Sequence, residues 1–403
     1  MILFLSTADT DLLALSHALG EPAAEGLLVR AANPASLATK EAAERYLDRE
    51  LPAARVVILR LLGGKRAFEP GFEQLVGECA ARGVPLIAIP GDQAPDVDLH
   101  AACTAEPAVV KAVFDYLLAG GVANLANLLR YLSDQYLGTT LGAEPPTDVP
   151  WEGVYHPDCI AGLSPDEYLA ARRREDRAIV GVLFYRAHWM SRNLSFVDAL
   201  IGRLEAAGCT PLPIFCYSLK GGPDGVPAVF RDYLLDPDGN ARVDAVVNTL
   251  SFSMGQVEVK GVSVASGWSV EALDRLDVPV IQAIVSTSTE AQWAASAAGL
   301  SPIDTAMNVA MPEFDGRIIG VPISFKEEAA EDARLGARLM RYAPAADRID
   351  FLARLAANWA RLGRTPSAER RVALILSNYP TKNARIGNAV GLDTPASVLN
   401  ILR

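Results

Sequence analysis

IVGVLFYRAHW, residues 179–189, is the stretch that decides the fold class. Its first part is an uninterrupted apolar run of strand length, which predicts a β-strand buried on both faces over Ile179–Tyr185. Strands of this kind belong to parallel sheets that helices cover on both sides. Arg186 and His188 follow at once, so the strand places both side chains at its carboxyl end. Ligands of open α/β sheets bind at that end, which makes both residues site candidates.

The surrounding sequence repeats this pattern. Further strands are predicted over 211–217, 243–248 and 278–285, with helical segments between them. Each strand ends in polar residues, and parallel strands share one carboxyl edge, so a crevice is expected along it. Arginine there can clamp a carboxylate, and neutral histidine can accept a proton. An alternative is that Arg186 and His188 only bind backbone groups at the sheet edge.

Residues 1–105 also alternate strands and helices, with strands predicted over 2–5, 27–30, 55–62 and 84–89. Residues 106–145 have helical spacing interrupted at Gly120-Gly121, which predicts a helical hairpin, and Gly142–Pro150 has the composition of a linker. The predicted fold class is therefore multidomain α/β: Rossmann-like parallel sheets flanked by helices, with a helical hairpin insertion. The predicted domains are 1–145 and 151–403. No complete glycine fingerprint for a nucleotide occurs.

The carboxyl-terminal part is predicted as two helices over 331–342 and 348–362, then a buried strand, Val372–Leu376, that joins the preceding sheet. A polar loop follows, and a helix begins at Asp393-Thr394-Pro395. Lys382 and Arg385, with Asn383 between them, suit an anionic ligand at the end of a strand. The alternative is a packed strand–turn–helix without a ligand.

Two other segments carry site candidates. His156 precedes Pro157 in WEGVYHP, which favours an extended backbone, and aromatic residues lie nearby in sequence. It could face a flat macrocycle or a metal ion, or be a hydrogen-bonded structural histidine. Glu313 and Asp315 lie in MPEFDG, where two acids could attract a divalent cation or form a capped turn.

Composition excludes several classes of protein. The 403 residues carry a net charge of −11 and no basic stripe, so no nucleic-acid partner is predicted. The amino terminus lacks the charged leader of a signal peptide, and no run approaches the roughly 18–20 apolar residues of a membrane span. The five cysteines are scattered without a C-x-x-C pair, which favours a reducing compartment, and we predict the cytoplasm.

A family resemblance comes from residues 377–402, SNYPTKNARIGNAVGLDTPASVLNIL. This segment resembles the large subunits of the class I tetrapyrrole metal chelatases, more closely the cobaltochelatase (CobN) type than the magnesium chelatase H type. YHP, GVLFYRAHW and MPEFDG resemble segments of the same family. Members of that family are much longer than this chain. The resemblance therefore covers an amino-terminal portion and implies a fragment or a truncated form.

The resemblance implies that the complete enzyme inserts Co²⁺ into hydrogenobyrinic acid a,c-diamide in aerobic cobalamin biosynthesis. It also implies AAA+ ATPase partner subunits that use ATP and Mg²⁺. Metal insertion needs bases for the pyrrole protons and cations for the peripheral arms. We assign catalytic roles to His188 and Glu313 and leave the metal ligands unknown. A separate set is assigned to substrate binding: Arg186, His156, Lys382, Asn383 and Arg385.

Three alternatives remain open. The chain could be a large subunit of the magnesium chelatase H type. It could be a non-catalytic module that binds a tetrapyrrole or a partner subunit. Without the resemblance, it could be a Rossmann-like enzyme that binds a sugar or nucleotide, although the missing glycine fingerprints count against that class.

Overall fold

The computed structural model describes residues 1–24, 26–159, 162–221, 226–255, 270–377, 387–388 and 391–403. Residues Met1–Arg361 form one compact unit, and Leu362–Arg403 form a second. The first unit contains two sheets, called sheet A and sheet B here. The predicted boundary between residues 145 and 151 lies between the two sheets in sequence but inside this one unit. The domain division stays a prediction.

Sheet A is parallel and lies near the amino terminus, with strand order β2-β1-β3-β4. Its strands are β1 Ile2–Ser6, β2 Val29–Ala32, β3 Val56–Leu61 and β4 Leu86–Pro90. Successive side chains of a strand point to opposite faces. Ile2 and Phe4 accordingly pack into one core and Leu3 and Leu5 into the other. Helices cover both faces, which gives three layers.

The helices around sheet A follow the predicted alternation. They are α1 Asp9–Ala18, α2 Lys40–Glu50, α3 Phe72–Arg82, α4 Val97–Ala102, α5 Pro107–Ala119 and α6 Val122–Tyr136. Short 3₁₀ turns lie at Pro22–Ala24, Pro34–Leu37, Leu51–Ala53 and Gly64–Phe68. The α5–α6 pair is the predicted helical hairpin, turning at Gly120 and Gly121, which both have positive φ.

Sheet B has seven strands in the order β11-β10-β9-β8-β6-β7-β5. They are β5 Gly153–Val154, β6 Ala178–Tyr185, β7 Cys209–Cys216, β8 Ala245–Asn248, β9 Val280–Thr289, β10 Ile318–Asp332 and β11 Ala337–Pro344. The strands from β10 to β7 run parallel, and the two edge strands are antiparallel to their neighbours. The apolar strand predicted from residues 179–185 is therefore central in the sheet.

Helices flank sheet B on both faces. They are α7 Pro165–Arg172, α8 Arg186–Met190, α9 Ser195–Ala206, α10 Glu271–Leu276, α11 Glu290–Ala295, α12 Pro302–Thr305, α13 Met311–Phe314 and α14 Ala346–Arg364. Two π-helical turns lie at Phe230–Leu234 and Ala306–Ala310. Both sheets flanked by helices confirm the predicted α/β class. No described helix has the length and apolar character that crossing a bilayer requires.

The β10–β11 hairpin extends from sheet B onto sheet A. The Ala31 amide donates to the Leu335 carbonyl over 3.0 Å, and Arg30 donates to the Arg334 carbonyl over 2.8 Å. Leu335 and Leu339 are buried in the core beside α1. The hairpin thus completes the core of a sheet formed by residues more than 200 positions earlier.

This hairpin corrects the helix predicted over 331–342, which was wrong. The Glu-, Ala- and Arg-rich sequence favours a helix locally, but tertiary pairing overrides weak propensities. Ser324 pairs with Pro344 and Asp332 with Ala337, and the chain turns at Gly336, where φ is +62°.

The second unit contains a 3₁₀ turn, Ser367–Glu369, and helix α15, Thr394–Leu402. Helix α15 begins where predicted, and Asp393 caps it, with its carboxylate accepting from the Ala396 amide over 3.0 Å. The strand predicted at Val372–Leu376 is wrong for this structure. Residues 371–377 are exposed, have no assigned secondary structure and belong to neither sheet. A strand needs ladder partners, and no described strand supplies them here.

Candidate functional site

The carboxyl edges of the two sheets meet. Lys326 lies on β10 beside the end of β9, and its Nζ is 2.6 Å from Oδ2 of Asp9, which directly follows β1. At the end of β7, burial raises the pKa of Tyr217, and the nearby Asp92 carboxylate, which follows β4, raises it further. Ends of parallel strands are where α/β proteins bind ligands. The predicted crevice edge of sheet B is therefore opposed by the corresponding edge of sheet A.

Polar side chains order the sheet A side of this junction. Ser6 Oγ donates to Asp11 over 2.6 Å, and Arg60 Nη1 is 2.9 Å from the other Asp11 oxygen. Arg60 also donates to the Gly91 carbonyl over 3.1 Å. The ends of β1, β3 and β4 are thereby tied together, which fixes the positions of these charges.

Arg186 is buried and bound to backbone. Its guanidinium donates to the carbonyls of Pro150, Val149 and Ala119 over 2.7, 2.8 and 2.8 Å, and it stacks on Trp151 with 4.5 Å to the ring centroid. Burial lowers the pKa of this arginine. These contacts connect the linker to the helical hairpin. They match the alternative that Arg186 only binds backbone groups at the sheet edge. A substrate-clamping role remains a prediction that these bonds weigh against.

His188 lies in an aromatic pocket. Its ring makes edge-to-face contacts with Phe196 at 5.0 Å and with Tyr342 at 5.2 Å between centroids. Its Nδ1 is buried without a hydrogen-bond partner, and burial lowers the pKa of His188 to about 4. A neutral imidazole at pH 7 has the protonation state of a base. However, only 7% of the residue is exposed, so the described residues around this ring leave little of it accessible to a macrocycle.

His156 belongs to a small polar cluster beside α9. Its Nδ1 accepts from the Asp158 amide over 3.1 Å, and its Nε2 lies 3.4 Å from Glu205. Arg172 binds the same Glu205 oxygen over 2.9 Å and also contacts the Cys159 sulfur. Burial, and then Arg172, lower the pKa of His156. The contacts fit the structural interpretation of this histidine, and its proposed role in substrate binding stays untested.

The two acids of MPEFDG have different environments. Glu313 is exposed on α13. Asp315 is buried and binds Arg317 over 2.7 Å and the Met254 amide over 2.7 Å. Arg317 in turn donates to Gln282 over 2.9 Å. Asp315 thus neutralises a buried arginine and is not available as an open cation ligand.

The described candidates do not converge. Arg186, His188, His156 and Glu313 share no hydrogen bond, ion pair or ring contact in the described part of the chain. Lys382, Asn383 and Arg385 lie outside the described residues. No three His, Cys, Asp or Glu side chains among the residues described have an arrangement that fits a metal ion.

Sequence reasoning missed a polar network at the end of β9. Asp304 is fully buried and accepts from the Ser286 hydroxyl over 2.8 Å and from the Thr287 amide and hydroxyl over 3.1 and 2.9 Å. Asn308 continues the network to Ser251, whose hydroxyl donates to it over 2.7 Å. The polar run at the end of β9 was a sequence signal for this network. Asp304 gave none, because SPID has the sequence of an ordinary helix start.

The fold is that of an α/β protein with two opposed strand edges, and ligands of α/β proteins commonly bind at such edges. A family model described as CobN/Magnesium Chelatase matches residues 114–403. The chain therefore belongs to the CobN/Magnesium Chelatase family.

Individual relatives agree with this assignment. The chain is 38% identical over its whole length to the aerobic cobaltochelatase subunit CobN of Pseudomonas aeruginosa and covers 31% of that protein. It is 29% identical over 71% of its length to the magnesium-chelatase H subunit of Rhodobacter capsulatus, covering 24% of it. The catalytic subunit of cobaltochelatase from Mycobacterium tuberculosis is structurally similar over the whole chain, with a TM-score of 0.64 and 36% identity, and 30% of it is covered. The chain spans about a third of these cobaltochelatase subunits.

Proposed function

We propose that the chain serves as part of the large, tetrapyrrole-binding subunit of a cobaltochelatase. In this proposal the assembled enzyme inserts Co²⁺ into hydrogenobyrinic acid a,c-diamide in the cytoplasm. AAA+ partner subunits supply ATP hydrolysis with Mg²⁺. Cobalt is a substrate in this reaction and not a resident cofactor.

The choice of cobalt over magnesium has one main support. The CobN relatives from Pseudomonas aeruginosa and Sinorhizobium match the whole chain at 38% and 34% identity. The magnesium-chelatase H subunits of Rhodobacter capsulatus and Cereibacter sphaeroides match 71% of it at 29% and 30%. A magnesium-type subunit is therefore the second candidate.

Metal insertion into a tetrapyrrole requires basic and cationic groups. Pyrrole nitrogens must lose protons as the metal enters, and acidic arms on the ring need paired donors. Lys382, Asn383 and Arg385 remain proposed arm contacts. His188 has the protonation state of a base, but its aromatic neighbours must move before a ring can reach it. Glu313 is exposed and remains a proposed proton acceptor.

Ligand binding is the first test. The five tryptophans provide a fluorescence signal for titration with hydrogenobyrinic acid a,c-diamide, and protoporphyrin IX is the comparison ligand. We expect tighter binding of the corrinoid. Lys382→Gln with Arg385→Gln should weaken it by roughly 100-fold or more, since each of the two lost charged contacts contributes about 1.5–3 kcal/mol. Arg173→Gln with Arg174→Gln, two exposed arginines, is the matched charge control.

Turnover is the second test. The aligned portion of the Pseudomonas subunit is replaced by this chain, and Co²⁺ insertion is followed by absorbance with the ATPase partners and ATP. Insertion of Co²⁺ but not Mg²⁺ supports the proposal. Corrinoid binding without turnover would support the non-catalytic alternative, and preference for protoporphyrin IX with Mg²⁺ would support the magnesium type.

A further inference from the structure

The loop that follows β8, residues 249–255, lies where sheet B reverses its strand order. The chain forms β6 first, then β7 on one side of it, and then β8, β9 and β10 on the other side. Helix α9, which follows β6, packs in the core on one face of the sheet, and α10, which follows β8, packs on the opposite face. In open α/β sheets, ligands bind where the connections of two neighbouring strands diverge in this way. The loop therefore occupies the position in sheet B where a ligand is expected.

Phe252 in this loop has a backbone conformation that is unusual for its side chain. Its φ is +68°, in the left-handed region, where a bulky residue is a genuine outlier. Residues in such conformations persist only where the surrounding structure holds them, and they cluster at ligand-binding sites. Glycine adopts the same conformation without strain, so a loop that only reversed the chain would not need phenylalanine. The side chain itself therefore has a role.

Hydrogen bonds from neighbouring elements hold the middle of the loop. The Ser251 amide donates to the hydroxyl of Tyr185, at the end of β6, over 3.2 Å. The Ser251 hydroxyl donates to Asn308 over 2.7 Å. The amide of Phe252 donates to the Met307 carbonyl over 2.8 Å. The strained residue is thus fixed on both sides by groups outside the loop.

Buried polar side chains hold both ends of the loop. The Leu250 carbonyl accepts from the side-chain amides of Asn248 and Gln282, each over 2.9 Å. Near the other end, the buried Asp315 carboxylate accepts from the Met254 amide over 2.7 Å. The loop is therefore ordered before a ligand arrives, which lowers the entropic cost of binding.

The loop presents an uncharged aromatic ring. Phe252 is 46% exposed, and the loop sequence, TLSFSMG, contains no charged residue. Such a surface suits the flat apolar face of a ligand and not its acidic groups, which need cations. The left-handed backbone and the hydrogen bonds distinguish this ring from other exposed aromatic residues, such as Phe351 on α14.

We propose that Phe252 contacts the apolar face of the tetrapyrrole ring at the strand reversal of sheet B. Residues 249–255 hold it in position before the substrate binds. The identity of the ligand rests on the proposed function, whereas the position and the order of the loop rest on its geometry.

Stability measurements test whether the loop is strained and ordered without a ligand. Among variants that lack the ring, Phe252→Gly should melt at a higher temperature than Phe252→Ala, because only glycine removes the strain. At Phe351, which is 49% exposed in a helix, the order should be reversed. The amides of Ser251, Phe252 and Met254 should exchange roughly 100-fold or more slowly than unprotected amides. Free exchange of these amides, or the same order of melting temperatures at both positions, would overturn the proposal.

Binding measurements test the contact itself. Tryptophan fluorescence is titrated with hydrogenobyrinic acid a,c-diamide, for the chain and for the Pseudomonas chimera. Phe252→Ala and Phe252→Gly should both weaken binding roughly tenfold or more, whereas Phe252→Tyr should keep it and Phe351→Ala should not change it. Parent affinity in Phe252→Ala would overturn this inference alone. Absence of corrinoid binding by both parent proteins would overturn the proposed function together with it.

Discussion

Replacing His188 by phenylalanine should reduce the loss of stability that occurs between pH 7 and pH 5. Burial lowers the pKa of His188 from 6.5 to about 4 in the folded protein. Between these values the unfolded chain binds a proton that the folded protein does not. The free energy of unfolding therefore falls as the pH falls from about 6.5 towards 4. The linkage amounts to about 2 kcal/mol between pH 7 and pH 5 and about 3 kcal/mol at pH 4.

Phenylalanine suits the site because Phe196 and Tyr342 already surround the ring with aromatic edges. It also removes the unpartnered Nδ1, so stability at pH 7 should change by less than about 1.5 kcal/mol. Urea unfolding at pH 7, 6 and 5 gives the difference in slope between the variant and the parent. His100→Gln, at an exposed residue, should keep the parent slope. Equal slopes for the parent and His188→Phe would refute the reasoning, as would an NMR titration showing His188 protonated at pH 6.

Three further predictions concern buried contacts, each measured by urea unfolding at pH 7. Arg317→Met should destabilise the protein by about 3–5 kcal/mol, because it leaves the Asp315 carboxylate buried and unpaired, and adding Asp315→Asn should recover most of the loss. Arg186→Met should lower the free energy of unfolding by about 3 kcal/mol, because three hydrogen bonds to backbone carbonyls are lost, and should leave corrinoid affinity unchanged. Loss of affinity at normal stability would instead support the substrate-binding role of Arg186. Gly320→Ala should lower the free energy of unfolding by about 1–3 kcal/mol, since the new Cβ would lie 2.8 Å from a backbone carbonyl oxygen. Gly77→Ala on α3 is the control and should be stabilising, because its Cβ would lie in open space.

The sheets could be predicted because their strands are locally encoded. Ala178–Tyr185 and Val56–Leu61 are apolar almost throughout, and only a strand covered on both sides buries every residue of such a run. The turn between α5 and α6 could likewise be predicted, from the sequence Gly120-Gly121. The α/β class and the helical hairpin followed from such segments, and the family followed from the motif in residues 377–402.

The wrong predictions concern segments whose secondary structure depends on residues distant in sequence. Residues 331–342 favour a helix by composition, yet pairing with β10 and packing on α1 hold them as a strand and turn. Val372–Leu376 has the sequence of a strand but lacks a described neighbour. Residues 331–342 have their pairing partner in β10, and no described strand pairs with Val372–Leu376. Composition alone therefore did not determine the structure of either segment.

The candidate site was predicted less well for the same reason. Arg186 was correctly placed at the end of β6, but its acceptors at Ala119, Val149 and Pro150 are set by the path of the linker. The junction of Asp9 and Lys326 joins residues 317 positions apart. No local sequence pattern predicts a contact between residues so far apart.

The hairpin at Leu335 has a consequence for synthesis on the ribosome. The first sheet has emerged by about residue 145, but part of its core arrives roughly 190 residues later. At about 5–20 residues per second, that interval lasts roughly 10–40 s. During it, we expect the apolar surface beside α1 that Leu335 and Leu339 later cover to stay exposed. We expect chaperone contacts to concentrate there until translation delivers the missing strand.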